Sequence, residues 1–313
     1  MRKRSLLLVV ALLAFVLVAC NDDARQEDLS PYTVDGVFTA FDYDTHNGPM
    51  VDYVSVTIKD NKIESFFIDA RQGITTQTAG SDTPDDLSDD TYTSSWNDLT
   101  KKELGDDYGM VLYGPATLEW YEQIQALETH FLQNGVSLDD LDSDGSTDVV
   151  SGVSITVNQY YTLALEALEL AKTCKFQAIS CVNGSHGAEL YFASMTVNDG
   201  AFSALTVDVL QSAVSNENVF SWNEKTKQEL GDDYGMVLYG PATLEWYEQA
   251  NVIVDYITTN GWNSNLQSDS RGAGGSLDGS TPIDALASAT IDTADFYIVF
   301  GQLFEQASNA FSN

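Results

Sequence analysis

Residues 103–123 read ELGDDYGMVLYGPATLEWYEQ, and residues 229–249 repeat the same 21 letters 126 positions later. Outside this stretch the similarity of the two copies weakens, although Trp96 still aligns with Trp222. An identity of this length does not arise by chance, so the chain is a tandem duplication and each half is one copy of a single unit. Recent copying and a shared site would both preserve these letters, and the sequence alone does not separate the two causes.

The second half of the repeated stretch predicts a helix in each copy. Pro115 suits the first turn of a helix, and an apolar face recurs at helical spacing from residue 116 to residue 133. The residues on this face are Trp120, Ile124, Leu127 and Phe131 in the first copy, and Trp246, Ala250, Ile253 and Ile257 in the second. A stripe of this kind faces a core, so both tryptophans are expected to be buried.

Strand patterns precede the stretch in both copies. Alternating apolar and polar residues predict strands at 37–41, 53–58 and 63–68, and again at 176–182, 188–197 and 201–210. Residues 71–95 have few apolar side chains and predict a loop. Because strands come first and helices later, the predicted fold class is α+β, an antiparallel strand meander followed by helices in each of two domains. The domains span residues 34–174 and 175–313.

The N-terminus has the pattern of a bacterial export signal. A basic start precedes an apolar run over residues 6–19, which is short for a bilayer span. The run ends in Leu17-Val18-Ala19-Cys20, which resembles a lipobox. That resemblance implies a signal peptide at 1–19, a lipidated Cys20 and an acidic tether over 20–33, with the protein anchored on the outer face of the cell membrane. An uncleaved membrane anchor is the alternative.

The charge of the chain argues against polyanionic partners. The 14 Lys and Arg residues face 47 Asp and Glu, for a formal net charge of −33. Loss of the signal peptide removes three basic residues and no acid, so the mature charge is −36. Nucleic acid and anionic lipid need a positive surface, and neither is an expected partner. Cys174 and Cys181 also remain, and their spacing leaves a disulfide between them open.

A hydroxyl residue follows an aspartate by six positions in both copies. The first copy has Asp148-Val149-Val150-Ser151-Gly152-Val153-Ser154, and the second has Asp284-Ala285-Leu286-Ala287-Ser288-Ala289-Thr290. These segments, and the meanders before them, resemble the FMN-binding domain family, whose motif is close to Asp-x-x-Ser-Gly-Ala-Thr. In that family a separate transferase esterifies the threonine with the phosphate of FMN, using FAD as donor.

The resemblance implies up to two covalent FMN groups, on Ser154 and Thr290, in an electron carrier rather than a substrate-converting enzyme. Its partners would be a membrane electron donor, a soluble or surface electron acceptor and the FMN transferase. The other motif positions expected to bind the cofactor are Asp148, Ser151, Gly152, Asp284 and Ser288. Both copies depart from the motif, since Ser154 replaces its threonine and Ser288 replaces its glycine.

Two physical features suit such a cofactor. Hydroxyl and small residues before a helix bind phosphate through free backbone N–H groups, although capping of the helix is the commoner use of such residues. Met110 and Met236 lie in the loop YGMVLYGP of each copy, where a polarizable side chain favours contact with a ring. Closing the core under the loop is the alternative role of these methionines.

Two other interpretations of the chain stay open. A flavinless binding or scaffold lipoprotein with the same fold would account for the altered motifs. An acidic surface protein ordered by calcium is the second, because Asp140, Asp142 and Asp144 match the opening of a calcium loop. The twelfth position of that loop would be Ser151, where a bidentate glutamate is needed, so this calcium candidate is weak.

Cys20→Ala should release the protein from the membrane fraction or leave its signal peptide uncleaved, because the acyl chains attach to this thiol. Fractionation and the intact mass of the wild-type and variant chains measure both effects. Unchanged membrane retention together with unchanged processing would rule out the lipobox interpretation.

Overall fold

Each copy opens with a four-stranded antiparallel sheet in a computed structural model that describes residues 31–78, 91–214 and 219–311. The strands are β1 (Gly36–Thr45), β2 (Pro49–Lys59), β3 (Lys62–Thr78) and β4 (Thr91–Trp96), then β5 (Lys175–Gly184), β6 (Gly187–Asn198), β7 (Ala201–Val214) and β8 (Phe220–Trp222). They pair in chain order, so both sheets are meanders and the α+β prediction is confirmed. Cys20 and the predicted export signal lie outside the described residues.

Helices follow each sheet. They are α1 (Lys101–Leu104), α2 (Met110–Tyr113), α3 (Trp120–Asn134) and α4 (Asn158–Lys172), then α5 (Lys227–Leu230), α6 (Met236–Tyr239), α7 (Trp246–Asn260) and α8 (Ala294–Gln306). Within the part of the chain that the structure describes, no helix is long and apolar enough to cross a membrane.

The core lies between one face of each sheet and the long helices that follow. In the first copy the buried strand residues alternate, as in Phe38 and Ala40 of β1 and Val54 and Val56 of β2. Helix α4 packs on these two strands, and the predicted stripe of α3 packs on β3. The equivalent stripe of α7 packs on β7 of the second sheet. Both Trp120 and Trp246 are only 3% exposed, so their predicted burial is confirmed.

The loop predicted over residues 71–95 is wrong in its outer parts. β3 continues to Thr78, and β4 pairs with it from Gly73 opposite Trp96 to Thr78 opposite Thr91. Exposed threonine, serine and glutamine dominate these strands, so no apolar alternation marks them. Backbone pairing holds this part of the sheet, and threonine suits it sterically. Residues 79–90 lie outside the described residues.

The helix predicted from residue 116 begins instead at Trp120. Glu119 has the extended φ and ψ of an N-cap, −68° and 161°. Its backbone N–H donates to Glu122 Oε2 at 2.8 Å, and its own carboxylate accepts from the backbone N–H of Glu122, which forms a capping box. Pro115 therefore lies in the bend before the cap and not in the first helical turn.

Equivalent residues of the two copies meet across their interface. The rings of Phe38 and Phe176 stack at 4.3 Å between centroids, and Trp96 contacts Trp222 at 5.7 Å. A Cβ at Gly36 would lie 2.6 Å from the ring of Phe176. The backbone of β1 can therefore approach Phe176 this closely only because residue 36 is a glycine. The contacts have the character of an isologous interface within one chain, and residues from Pro31 onward form one compact unit.

The two cysteines of the described chain are free thiols. Cys174 lies at the junction of α4 and β5, where its φ is 54° and its carbonyl accepts from the N–H of Val197 at 3.0 Å. Cys181 lies seven residues further along the chain, within β5. The disulfide that the spacing left open is therefore not formed.

Trp120→Ala and Trp246→Ala should each lower the free energy of unfolding by about 3–5 kcal/mol, because each removes a buried indole from the core. Denaturant unfolding of each single variant measures the loss. Tyr113→Ala is the matched control from the same repeated stretch, since this tyrosine is 85% exposed, and it should change stability by less than about 0.5 kcal/mol. Losses below about 1 kcal/mol in both tryptophan variants would contradict the packing.

Candidate functional site

A buried carboxylate shapes the repeated stretch. The two oxygens of Glu119 accept from the N–H groups of Met110 at 2.8 Å and Val111 at 2.9 Å. Glu245 makes the two equivalent bonds in the second copy at the same lengths. This residue also caps the following helix, so one side chain ties the start of α2 to the start of α3, and its counterpart ties α6 to α7.

The short helix held in this way presents apolar side chains to solvent. Leu112 is 72% exposed and Tyr113 85% exposed, and Leu238 and Tyr239 have the same values. Met110 and Met236, which were predicted to contact a ring, are half-buried and pack against the core. The loop therefore has an inner face that carries the methionine and an outer face that carries the leucine and tyrosine.

A lysine lies buried beneath the loop in each copy. Lys101 Nζ is 5.4 Å from the ring centroid of Trp120 and 5.6 Å from that of Tyr108, distances at which a cation is attracted to an aromatic face. Lys227 has the equivalent aromatic contacts in the second copy. Burial lowers the pKa of both lysines, and nearby carboxylates oppose that shift.

The carboxylate near this lysine differs between the copies. In the first, the buried Asp52 accepts from Tyr160 Oη at 3.0 Å, and burial raises the pKa of Asp52 to about 6. In the second, Glu189 Oε1 lies 3.5 Å from Lys227 Nζ, with both side chains buried.

The two acids do not occupy equivalent strand positions. Asp52 pairs with Ala70, the residue after Asp69. In the second copy the residue after Asp208 is Val209, which pairs with Tyr191, so Tyr191 and not Glu189 is the equivalent of Asp52. Asp69 and Asp208 mark equivalent places, since each accepts from the N–H of the second residue after the capping threonine.

A glutamine from the repeated stretch holds the candidate attachment hydroxyl in both copies. Gln123 Oε1 accepts from the N–H of Ser154 at 2.8 Å and lies 3.3 Å from its Oγ. Gln249 Oε1 accepts from the N–H of Thr290 at 2.6 Å, lies 3.2 Å from its Oγ1, and accepts from Ile291 N–H at 3.1 Å. Both glutamine side chains are fully buried, and both predicted hydroxyl residues are exposed.

The other predicted motif residues lie at the surface of the protein. Asp148, Ser151 and Asp284 are exposed. Gly152 has a φ of 90°, and a Cβ there would lie 2.9 Å from Leu118 Cδ1. Ser288 occupies the position of Gly152 in the second copy and has no positive φ. The second motif begins instead with a 3₁₀ turn over Asp284–Leu286. The second copy thus accommodates the serine by a different local backbone.

Backbone N–H groups near the hydroxyls already have partners. Val157 and Asn158, at the start of α4, both donate to the carbonyl of Gly145, at 2.8 and 3.1 Å. Ala294, the first residue of α8, donates to Asp292 Oδ1 at 3.0 Å. Each helix begins four residues after its hydroxyl residue, so the anion site predicted directly before a helix is not preformed at that hydroxyl.

In the second copy, a cavity of about 520 Å³ reaches Ile291, the residue after Thr290. Tyr234, Met236 and Trp246 line it from the repeated stretch, and Ile291 lines it from the residue after the hydroxyl. Its polar lining includes Glu189, Gln211, Lys227, Asp292 and Asp295. The cavity combines aromatic and methionine surfaces with the buried pair of Glu189 and Lys227, and Ile291 brings it within one residue of Thr290 along the chain.

The acids of the weak calcium candidate point to separate partners. Asp140 Oδ2 bonds His130 Nε2 at 3.0 Å, and Asp144 Oδ1 accepts from both the N–H and the hydroxyl of Ser146. Asp142 takes part in the turn through its backbone. Across the described ranges, no group of three or more His, Cys, Asp or Glu residues could hold a metal ion.

Sequence reasoning missed the glutamine, the lysine and both buried acids. Gln123 and Gln249 are the last letters of the identical stretch, and Lys101 aligns with Lys227 just before it. Their identity in the two copies was thus a visible signal without an assigned role. Asp52 and Glu189 gave no such signal, because they occupy different strand positions.

The stability of the protein should depend on pH through Asp52. Because the folded pKa is raised from 3.8 to about 6, the folded state binds this proton more tightly than the unfolded chain. Stability from this group is therefore full below about pH 4, falls until about pH 6 and is constant above, with a total loss on the order of 3 kcal/mol. Asp52→Asn keeps an acceptor for Tyr160 and should flatten this fall. Denaturant unfolding from pH 4 to 7 measures it, and parallel pH profiles for both proteins would contradict the assignment.

Comparison with known proteins gives little further information. No protein-family model and no curated protein matches the chain. A solution NMR structure from Clostridium thermocellum, a target of the Northeast Structural Genomics Consortium, is similar at 28% sequence identity. The match covers 44% of this chain and 92% of that protein, with a TM-score of 0.28. A TM-score this low does not establish a shared fold.

Proposed function

We propose that the chain is an exported, lipid-anchored electron carrier that bears FMN on Ser154 and Thr290. The proposal joins the lipobox at Cys20, the resemblance of the two motifs to FMN-binding domains, and the geometry around the hydroxyls. In this role the protein takes electrons from a membrane donor and passes them to a soluble or surface acceptor. It has two attachment sites because the unit is duplicated.

The observation that carries this proposal is the glutamine contact. Gln123 and Gln249 belong to the identical stretch, whereas Ser154 and Thr290 belong to segments that differ in most letters. Nevertheless, in both copies the side-chain oxygen of the equivalent glutamine accepts a hydrogen bond from the backbone N–H of the candidate hydroxyl residue. Divergent segments held at one point by an identical residue indicate that this point, rather than the surrounding sequence, is what the two copies share.

The cavity that reaches Ile291 fits a flavin in several respects. Tyr234, Met236 and Trp246 supply the flat and polarizable surfaces that an aromatic ring system packs against. Bound FMN would supply reversible uptake of electrons, and the protein would fix its position. The exposed hydroxyl leaves its oxygen accessible to the transferase. In the first copy, Tyr108 and Met110 are the equivalents of Tyr234 and Met236.

The flavinless alternative rests on one specific observation. The N–H groups that would meet a phosphate at Thr290 already donate to Gln249, and Asp292 and Asp295 line the adjoining cavity. A phosphate monoanion there would meet two carboxylates and would need the amide to move. A binding or scaffold lipoprotein with this fold needs no such rearrangement.

Protein co-expressed with an FMN transferase should carry two FMN groups, and Ser154→Ala or Thr290→Ala should each remove one. The reason is that each substitution deletes the only atom to which the phosphate of that copy would be joined. Intact mass gives the number of flavins, and peptide mass spectrometry gives their positions.

Thr156→Ala and Ser280→Ala are the matched controls for the flavin experiment. Each removes an exposed hydroxyl that lies near the motif of its copy but outside it, and each should leave two flavins in place. Flavin mapped to any other residue would refute the assignment of the hydroxyls. A chain without flavin after co-expression with an active transferase would favour the flavinless alternative.

A further inference from the structure

The second copy covers part of the face of the first sheet that points away from its core, and this part carries several polar residues. Thr39 of β1 lies opposite Ser55 of β2, and both point away from the core side chains of Phe38 and Val54, because successive strand residues face opposite sides. Arg71 of β3 is on this face as well. Strand β5 and helix α8 of the second copy lie over it and leave a cavity of about 460 Å³.

The lining of this cavity, which we call the seam cavity, combines hydroxyl and amide groups with one carboxylate, Glu305, and with apolar surface from Val37 and Ile179. Thr39 is almost fully buried, lies with its hydroxyl 2.8 Å from that of Ser55, and accepts from Gln306 Nε2 at 3.3 Å. Ser180 and Gln302 add a further hydroxyl and amide from the second copy. A cavity of this polarity and size is favourable only when water or a polar ligand fills it.

Arg71 gives the seam cavity a fixed cation. Its Nε donates to the carbonyl of Asn97 at 2.8 Å, and its Nη2 donates to the carbonyl of Asp98 at 3.0 Å. These bonds use two of the five guanidinium N–H groups and set the plane of the others. Among the described residues that line the cavity, Arg71 is the only cation and Glu305 the only carboxylate, and the thiol of Cys181 also lies against Arg71.

The seam cavity belongs to the first copy's sheet alone. Arg71 lies two residues beyond Asp69 and pairs with Val51. Its equivalent in the second copy is Leu210, which lies two residues beyond Asp208 and pairs with Leu190. Leu210 is buried in the apolar cluster between the copies, so the equivalent position in the second sheet is filled and apolar. A polar cavity at one of two otherwise equivalent faces indicates a feature that the duplicated fold does not by itself require.

We propose that the seam cavity binds a polyhydroxylated carboxylic acid of monosaccharide size, a sugar acid. Neighbouring hydroxyls on such a ligand match the hydroxyls and amides of Thr39, Ser55 and Gln306, which can each donate or accept. The carboxylate matches the remaining N–H groups of Arg71, whose fork geometry suits it. Tyr53, also in the lining, offers a ring to the apolar face of a sugar. The site does not depend on the flavin proposal.

Isothermal titration of the purified chain with D-glucuronate, D-glucose and acetate tests this assignment. Glucuronate should bind saturably with one site per chain. Glucose has the same ring without the carboxylate and should bind at least tenfold more weakly. Acetate has the carboxylate without the hydroxyls and should also bind at least tenfold more weakly. Equal affinity for glucuronate and glucose would show that Arg71 does not recognise the acid, and absence of binding by all three probes would overturn the proposal.

Variants locate the binding within the molecule. Arg71→Gln should lower glucuronate affinity at least tenfold and abolish its preference over glucose. Arg271→Gln removes the other arginine of the described chain, an exposed one paired with Asp269, and should leave binding unchanged. Because Arg71 also holds two carbonyls, Ser180→Phe provides a second test that fills the cavity from the opposite copy and should block all binding. Undiminished binding in folded Ser180→Phe would place the ligand elsewhere and refute the site.

Discussion

The buried carboxylate of Glu119, with its counterpart Glu245, is the constraint on which each site depends. It satisfies two N–H groups at the start of one short helix and begins the next long helix, in a place from which water is excluded. An unpaired backbone donor there would cost about 1–3 kcal/mol, so the loop has one favourable shape. That shape puts the methionine inward, the leucine and tyrosine outward, and the glutamine four residues further on against the candidate hydroxyl.

The two copies keep this frame and vary what it encloses. One encloses an aspartate bonded to a tyrosine, and the other a glutamate beside a lysine. The two acids differ in length, strand position and hydrogen-bond partner, so the enclosed environments differ although the surrounding loop is identical. The duplicated frame therefore supports two environments that can diverge through strand residues alone, without altering the turn and helix that shape the loop.

Sequence patterns predicted correctly those helices and strands in which apolar side chains recur at a regular spacing. The stripe led by Trp120 and the alternation along β2 both announce a buried face, and both were placed correctly. β4 was missed because polar residues paired through their backbones carry no apolar period. The start of α3 was misplaced because Pro115 is compatible with a helix, whereas the capping of Glu119 depends on a carboxylate turned toward its own loop. The contact between Gln123 and Ser154 joins residues 31 positions apart, and neither residue alone indicates the other.

Only Thr173 and Cys174 separate α4 from β5, and this brevity governs how the molecule comes apart. Stacked repeats usually unfold as a series, each unit supported by its neighbours through similar contacts. Here the connection allows no hinge, and aromatic rings of the first copy complete the core of the second. A copy that opened alone would expose those rings on its partner. The chain is therefore expected to melt in one cooperative step, in which both hydroxyl sites are lost together.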